Sequence, residues 1–383
     1  MIVGVPKETF PGEQRVALIP QNISNLTKTG FEVLVESKAG GSSGFSDSEY
    51  TDKGAKITGN RKELFSKADV ILQVRGFGTN PDKGKSDLVL MKAGQIVVGL
   101  HEPLAAIDAI KILANRKVTA FAMELIPRIT RAQSMDVLSS MATIAGYKSV
   151  MIAAESLPKM FPMLMTAAGT TAPAQVFVVG AGVAGLQAIA TAKRLGSVVK
   201  AYDVRPAVKE QIESLGAKFV ELPVDAKESE DSGGYAIEMD ESFYKRQREM
   251  MTKIIEESDV VITTAMIPGK KAPVLIAAGM VKKMHHGSII VDLAAESGGN
   301  CELTKSGKTV VTTGVTIIGP VNIASTIPYH ASQMYSKNIT TFLLHIIKEG
   351  KLSDDADDEI LTNTMVTKDG TIVNKLVKEL AGA

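Results

Sequence analysis

The chain has 383 residues, which predicts two domains or at most three at roughly 100–200 residues each. Hydrophobic residues make up 45% and charged residues 22%, proportions that exclude a disordered chain. Lys plus Arg is 43 against 42 Asp plus Glu, so no electrostatic footprint for nucleic acid or anionic lipid is expected. A lone cysteine, Cys301, makes no internal disulfide, and no Cys/His cluster has zinc-site spacing, so no metal is expected. The N-terminal MIVGVPKE lacks the pattern of a signal peptide, and charged residues interrupt every long apolar run. The expectation is a soluble, cytoplasmic chain.

In chain order, Ile2–Val5, Glu32–Val35, Val70–Val74, Ile96–Leu100 and Val118–Ala120 read as strands. Gln21–Gly30, Asn60–Ala68 and Leu104–Asn115 between them have helical spacing. Strands alternating with helices predict a parallel sheet covered on both faces. Residues 131–157 form one long helix-favouring stretch, punctuated by Gly146 and stopped by Pro158, of a length to join two domains. In Phe161–Gly169, FPMLMTAAG is apolar and reads as an exposed or swapped element. A second alternation then begins. Gln175–Val179, Val198–Tyr202, Lys218–Val220, Asp259–Thr263, Ser288–Val291, Val310–Val311 and Val315–Ile318 read as strands, with helices at Val183–Leu195 and Ala207–Leu215. Residues 223–238 are polar, carry Gly233 and Gly234, and read as a functional loop. Tyr329–Ile347 reads as a helix returning to the first domain, and residues 351–359 as an exposed acidic segment. The fold class is therefore α/β, with two domains of doubly wound parallel sheet joined by long helices. The domains are expected at residues 1–135 with 327–383, and at residues 136–326.

The strand QVFVV runs into Gly180-Ala181-Gly182-Val183-Ala184-Gly185 and then at once into a helix. This is G-x-G-x-x-G in its proper setting. The first glycine permits the turn, the second lets a pyrophosphate approach the backbone, and the third lets helix and strand pack closely. Asp203 ends the following strand, at the distance where a carboxylate accepts hydrogen bonds from adenosine ribose hydroxyls. A carboxylate there repels a 2′-phosphate and favours NAD(H) over NADP(H). Arg205 leaves three roles open: meeting a 2′-phosphate, neutralising Asp203, or packing over adenine.

The second signal is Arg128 to Ser140, RITRAQSMDVLSS. If a helix begins near Arg131, Gln133, Asp136 and Ser140 share one face, with Ser139 beside Asp136, while Met135 and Leu138 face a core. Spacing alone also fits a capped amphipathic helix with a solvated face.

At this point the residues match a family. MELIPRITRAQSMDVLSSMATIAGY (123–147) resembles the NAD(H)-binding component of the proton-translocating nicotinamide nucleotide transhydrogenases. So do MTAAGT (165–170), GAGVAGLQAIATAKRLG (180–196), DVR (203–205), KEQIESLGAKF (209–219), GGYAIEM (233–239), ITTAMIPGKKAPVLI (262–276) and DLAAESGGNC (292–301). The resemblance implies two Rossmann-like domains flanking a cleft. It assigns Arg128, Gln133, Asp136 and Ser139, as the catalytic residues, to the nicotinamide half of NAD(H), and counts Ile129 and Thr130 among the residues that bind the cofactor. It places Gly180, Gly182, Val183, Ala184 and Gly185 at the pyrophosphate, and Asp203, Val204 and Arg205 at the adenosine ribose. Gly234 and Tyr235 correspond to the tip of the family's mobile loop, and Gln247 and Met266 to further nucleotide contacts. It also implies NADP(H) on a partner subunit, a separate membrane-spanning proton-translocating subunit, a homodimer, and a cytoplasmic chain held peripherally at the inner membrane.

Two rivals stand beside it. The alanine dehydrogenases share much of the pattern: Arg15 matches an arginine that binds the substrate carboxylate there, and His101 corresponds to their catalytic histidine. Arg75 stands where they carry a lysine, however, and Glu296 where they carry an aspartate. On this reading His101 is instead a hydrogen-bonded residue at a strand end. The other rival is an NAD(H)-sensing module with no turnover of its own.

Overall fold

The structure is a computed structural model and describes residues 1–221, 241–266 and 270–382. The chain divides into two compact units, Met1–Met141 with Ala324–Ala383, and Ala142–Ile323.

The first unit is built on an eight-stranded sheet. From one edge its strands are Thr371–Ile372, Met365–Lys368, Thr119–Ala122, Ile96–Leu100, Val70–Arg75, Ile2–Val5, Glu32–Glu36 and Lys56–Thr58. Val3 pairs with Val70 and Val97 with Ala120, both in parallel register. Only Met365–Lys368, from the C-terminal return, runs against the others, so both of its pairings, with Thr119–Ala122 and with Thr371–Ile372, are antiparallel. The central strands are buried on both faces, which is why Val70–Arg75 reads as a nearly unbroken apolar run. Val3, Val70, Leu72 and Val98 point into one core, closed by Tyr335, Ile339 and Phe342 of the helix Pro328–Ile346. Ile71, Val97 and Ala120 point into the other, closed by Leu64, Phe65, Ile110 and Leu113.

In the second unit the sheet has seven strands, in the order Lys218–Phe219, Val198–Tyr202, Gln175–Val179, Val260–Thr263, Ile289–Asp292, Val315–Ile318 and Thr309–Thr312. All neighbours are parallel except the last pair. In both sheets the first strand in chain order lies beside the fourth, so the connections reverse direction there. Both units are thus Rossmann-like, and ligands of such sheets bind beyond the carboxyl ends of the strands at that reversal.

The long helix expected over 131–157 is two elements. A 3-10 turn covers Thr130–Met135, and the α-helix runs from Val137 to Ser156. Gly146 does not break it. A Cβ at that position would collide with the Ala184 carbonyl oxygen, so glycine here serves close packing against the start of the helix Val183–Arg194. By length and composition this is the one helix among the described residues apolar enough to cross a membrane. It carries Lys148 and Glu155, and Val150 and Ala153 lie in the core of the second unit. In the FPMLMTAAG stretch, Phe161 is buried, while Leu164–Thr166 and Gly169–Thr171 form an exposed hairpin on which Met165 is 75% exposed.

Candidate functional site

The glycine-rich turn follows the strand Gln175–Val179. Gly180 has a φ of +94°, in the left-handed region open to glycine, and a Cβ there would stand 2.7 Å from Thr264 Oγ1. A Cβ on Gly185 would collide with the Gly180 carbonyl oxygen, so the third glycine lets helix and turn touch. Gly182 differs. Its φ is −72°, and among the described residues nothing lies within 4 Å of the place a Cβ would take. The open space therefore lies at the second glycine, where a pyrophosphate would approach. Gly182 is also the N-cap of Val183–Arg194 and offers no side chain to that helix's first N–H groups. Val183 is exposed, and Ala184 and Gly185 are buried.

Asp203 is only 7% exposed. Its Oδ2 accepts from the Ala181 N–H at 2.6 Å and from the Arg205 guanidinium at 2.9 Å. Its Oδ1 accepts from Arg205 Nε and from the Arg205 N–H, both at 2.9 Å. Of the three roles open to Arg205, the structure holds it in a fork against Asp203. Val204 is half-buried. Gln247 is fully buried and donates to the Tyr202 hydroxyl at 2.9 Å, while Met266 is 46% exposed. Gly234, Tyr235 and the loop expected over 223–238 lie outside the described residues.

In the first unit, Arg128, Thr130, Gln133 and Ser134 are exposed and Ile129 is half-buried. Ala132 and Met135 are buried in the core shared with Tyr335 and Ile339. A helix starting near Arg131 would stack Gln133, Asp136 and Ser140 on one face. The 3-10 turn replaces that arrangement. Asp136 is the N-cap of the helix beginning at Val137, with Oδ1 accepting from the Ser139 N–H at 2.9 Å and Oδ2 from Ser139 Oγ at 2.6 Å. Asp136 and Ser139 therefore form a locked pair, and Gln133 projects from the turn before them.

A further polar group at the carboxyl ends of the first sheet was not read from the sequence, apart from Arg15, Arg75 and His101. Glu13 grips Arg15 at 2.7 and 2.6 Å and reaches Arg75 Nε at 3.3 Å. Despite burial, the two arginines hold its carboxyl down at about 2. Glu8 accepts from the Val74 and Arg75 N–H groups at 2.6 and 3.2 Å, and burial pushes it up to about 8. Glu124 accepts from the His101 N–H at 2.7 Å, and burial pushes it up to about 7. His101 lies at its strand end as expected, but its ring is not hydrogen-bonded: neither nitrogen has a partner among the described residues. Burial alone lowers it to about 4, so the ring is neutral near pH 7. The missed signal was the pair of acids in KETFPGEQR, two of them within eight residues of Arg15.

Comparison with known proteins separates the readings. Residues 4–145 match the family described as alanine dehydrogenase/PNT, N-terminal domain, and residues 149–375 its C-terminal domain. The chain is 48% identical over 377 residues to the first of the separately named parts of the NAD(P) transhydrogenase subunit alpha of Rhodospirillum rubrum, covering 98% of both. It is 46% identical over 373 residues to the protein of the same name from Rickettsia prowazekii, covering 97% of this chain and 96% of the other. A transhydrogenase structure from Sinorhizobium meliloti superposes with a TM-score of 0.84 at 41% identity, over 98% of this chain and 99% of that one. Oxidoreductase chemistry and nicotinamide nucleotide binding come with these relationships. The chain belongs to the alanine dehydrogenase/PNT family and, within it, to the NAD(P) transhydrogenase alpha subunits.

Proposed function

We propose that this chain is the NAD(H)-binding subunit of a proton-translocating transhydrogenase. On this reading it presents NADH to NADP⁺ held on a partner subunit, and a separate membrane-spanning subunit moves the proton. The observation that carries the reading is the turn Gly180–Gly185, with its open second glycine and with Asp203 tied to Ala181. That arrangement fits a dinucleotide whose ribose bears no 2′-phosphate.

The bound dinucleotide supplies the hydride, and the chain's own residues supply position. Gly182, Val183, Ala184 and Gly185 take the pyrophosphate on uncapped N–H groups. Asp203, with Val204 and Arg205, takes the adenosine ribose. Arg128, Ile129, Thr130, Gln133, Asp136 and Ser139 orient the nicotinamide half, and Gln247 and Met266 complete the nucleotide's surroundings. Hydride exchange between two nicotinamide rings transfers no proton to or from oxygen or nitrogen. Polar positioners that also exclude water therefore suffice, and no acid–base pair is required. The exposed hairpin Leu164–Thr171, with Met163 and Met165 turned to solvent, supports a homodimer. Attachment to the cytoplasmic face of the membrane comes through the partner subunits.

The test is reconstitution. The purified chain is mixed with NADH and a partner subunit loaded with an NADP⁺ analogue. The expected result is transfer that needs both proteins, with no NADH oxidation by the chain alone on pyruvate and ammonia. Ammonia-dependent oxidation by the isolated chain, or no transfer in the mixture, overturns the reading.

A further inference from the structure

The turn Thr130–Met135 is too short to hold its own shape. Ala132 and Met135 anchor it by packing, but Gln133 and Ser134 face solvent. Polar contacts tie it to the C-terminal return. Arg131 reaches Asp358 at 3.1 Å from a side chain that is half exposed, where solvent screens the pair. Asn338, on the buried face of the helix Pro328–Ile346, donates from Nδ2 to the Ser134 carbonyl at 2.8 Å.

Asn338 is only 5% exposed, and its Oδ1 has no hydrogen-bond partner among the described residues. A buried amide oxygen without a donor is costly. Packing and stability alone would be served better by an apolar side chain of the same size, such as leucine. The hydrogen bond that Asn338 makes to the Ser134 carbonyl is offset by the cost of its unpaired Oδ1. Asn338 therefore stabilises the fold little. What its N–H does is fix the backbone between Gln133 and Asp136.

We propose that Asn338 is a positioning residue for hydride transfer: through the Ser134 carbonyl it sets the turn that presents Gln133 beside the Asp136–Ser139 cap. This rests on the transhydrogenase reading. Asn338 touches no nucleotide; it acts through Gln133.

The test is Asn338→Leu, measured for thermal unfolding, NADH affinity of the isolated chain, and transfer in the reconstituted complex. Thermal stability should be unchanged or raised, and NADH affinity should stay within about threefold. Transfer should slow by about tenfold or more, because small misplacements of a reacting ring are costly in rate. Combined with Gln133→Asn, the two losses should fail to multiply, as expected when one residue acts through the other. Transfer at the wild-type rate overturns the proposal. So does a loss that follows stability or NADH affinity, or two losses that simply multiply; each marks an ordinary structural role. If Asn338→Leu does not fold, Asn338→Asp replaces it. Its protonated carboxyl regains a donor for Ser134, so its transfer rate relative to wild type should rise on acidification, and a constant ratio overturns the proposal. A wild-type complex without transfer is recognised before any variant is made; it overturns the transhydrogenase reading, and this proposal falls with it.

Discussion

The carboxylate of Asp203 accepts a hydrogen bond of 2.6 Å from the backbone N–H of Ala181, the residue between the first two glycines of the turn. The end of one strand is thereby tied to the glycine-rich turn of its neighbour. Arg205 closes on both oxygens of the same carboxylate from the other side. Charge-assisted bonds of this kind hold a side chain in one orientation. Asp203 is thus held in one orientation, and on the proposed reading, in which it takes the adenosine ribose, a 2′-phosphate would have to displace Arg205 from it.

The first prediction is cofactor choice. NADH should bind at least about ten times more tightly than NADPH, because the desolvated carboxylate repels the extra phosphate. Asp203→Asn should narrow that ratio by releasing Arg205 toward a phosphate. Equilibrium titration of both cofactors against both proteins measures it. Equal affinities in the wild type would shift the ribose assignment to Arg205.

The glycines should separate stability from binding. Gly182→Ala adds a methyl group into open space at an ordinary φ, so unfolding temperature should change little. The same methyl group stands where the pyrophosphate would approach, so NADH affinity should fall by roughly tenfold or more. Gly185→Ala forces a Cβ against the Gly180 carbonyl and should lower stability itself by about 1–3 kcal/mol. Thermal unfolding and NADH titration on both variants decide the matter. A Gly182→Ala protein with normal affinity would remove the turn from the cofactor site.

The acids around His101 predict a pH dependence with a definite sign. Burial raises Glu124 to about 7 from 4.5, so between those values the folded chain holds a proton that the unfolded chain has lost. Its contribution to stability is full below pH 4.5 and falls as pH rises toward 7, by about 1.4 kcal/mol per unit. His101, lowered to about 4 from 6.5, has the opposite slope between those two values and masks much of it. Glu124→Gln removes the first contribution and leaves the second. Its stability relative to wild type should therefore rise by a few kcal/mol between about pH 5 and 7. Denaturant unfolding at the two pH values measures this, and a constant difference would place the Glu124 titration elsewhere.

The Gly180–Gly185 turn, Asp203 and most strands were legible in the sequence because their signals are local. Strand, glycine spacing and helix follow within about twenty residues. What was not legible is set by distant partners. The helix expected from Arg131 begins at Val137 because Ala132 and Met135 pack against a helix some two hundred residues later, and Asp136 then serves as the cap. The strand Met365–Lys368 was missed because it is defined by its antiparallel pairing with Thr119–Ala122, far back in the chain. The isolation of the His101 ring depends on its burial against Gly76, where a Cβ would collide with it. No spacing in the chain records that.

The last prediction concerns Gln133 and separates binding from catalysis. Gln133 is exposed on the turn immediately before the Asp136–Ser139 cap. If it orients the nicotinamide ring, its contact strengthens as the rings align and should matter more in the transition state than in the bound ground state. Gln133→Asn keeps the amide and removes one methylene from its reach. A displacement of about 1 Å at the reacting ring can cost roughly 100-fold in rate. The residues proposed for the pyrophosphate and adenosine, Gly182 to Asp203, are untouched, so NADH affinity should fall only a few-fold. Thermal stability should hold within about 0.5 kcal/mol, as for other exposed substitutions. Stopped-flow transfer in the reconstituted complex, set beside NADH titration of the isolated chain, measures both quantities. A solvated turn without a catalytic role predicts no change in either. Transfer at the wild-type rate in Gln133→Asn would therefore remove this turn from the reaction and leave the chain's function resting on the glycine turn and Asp203.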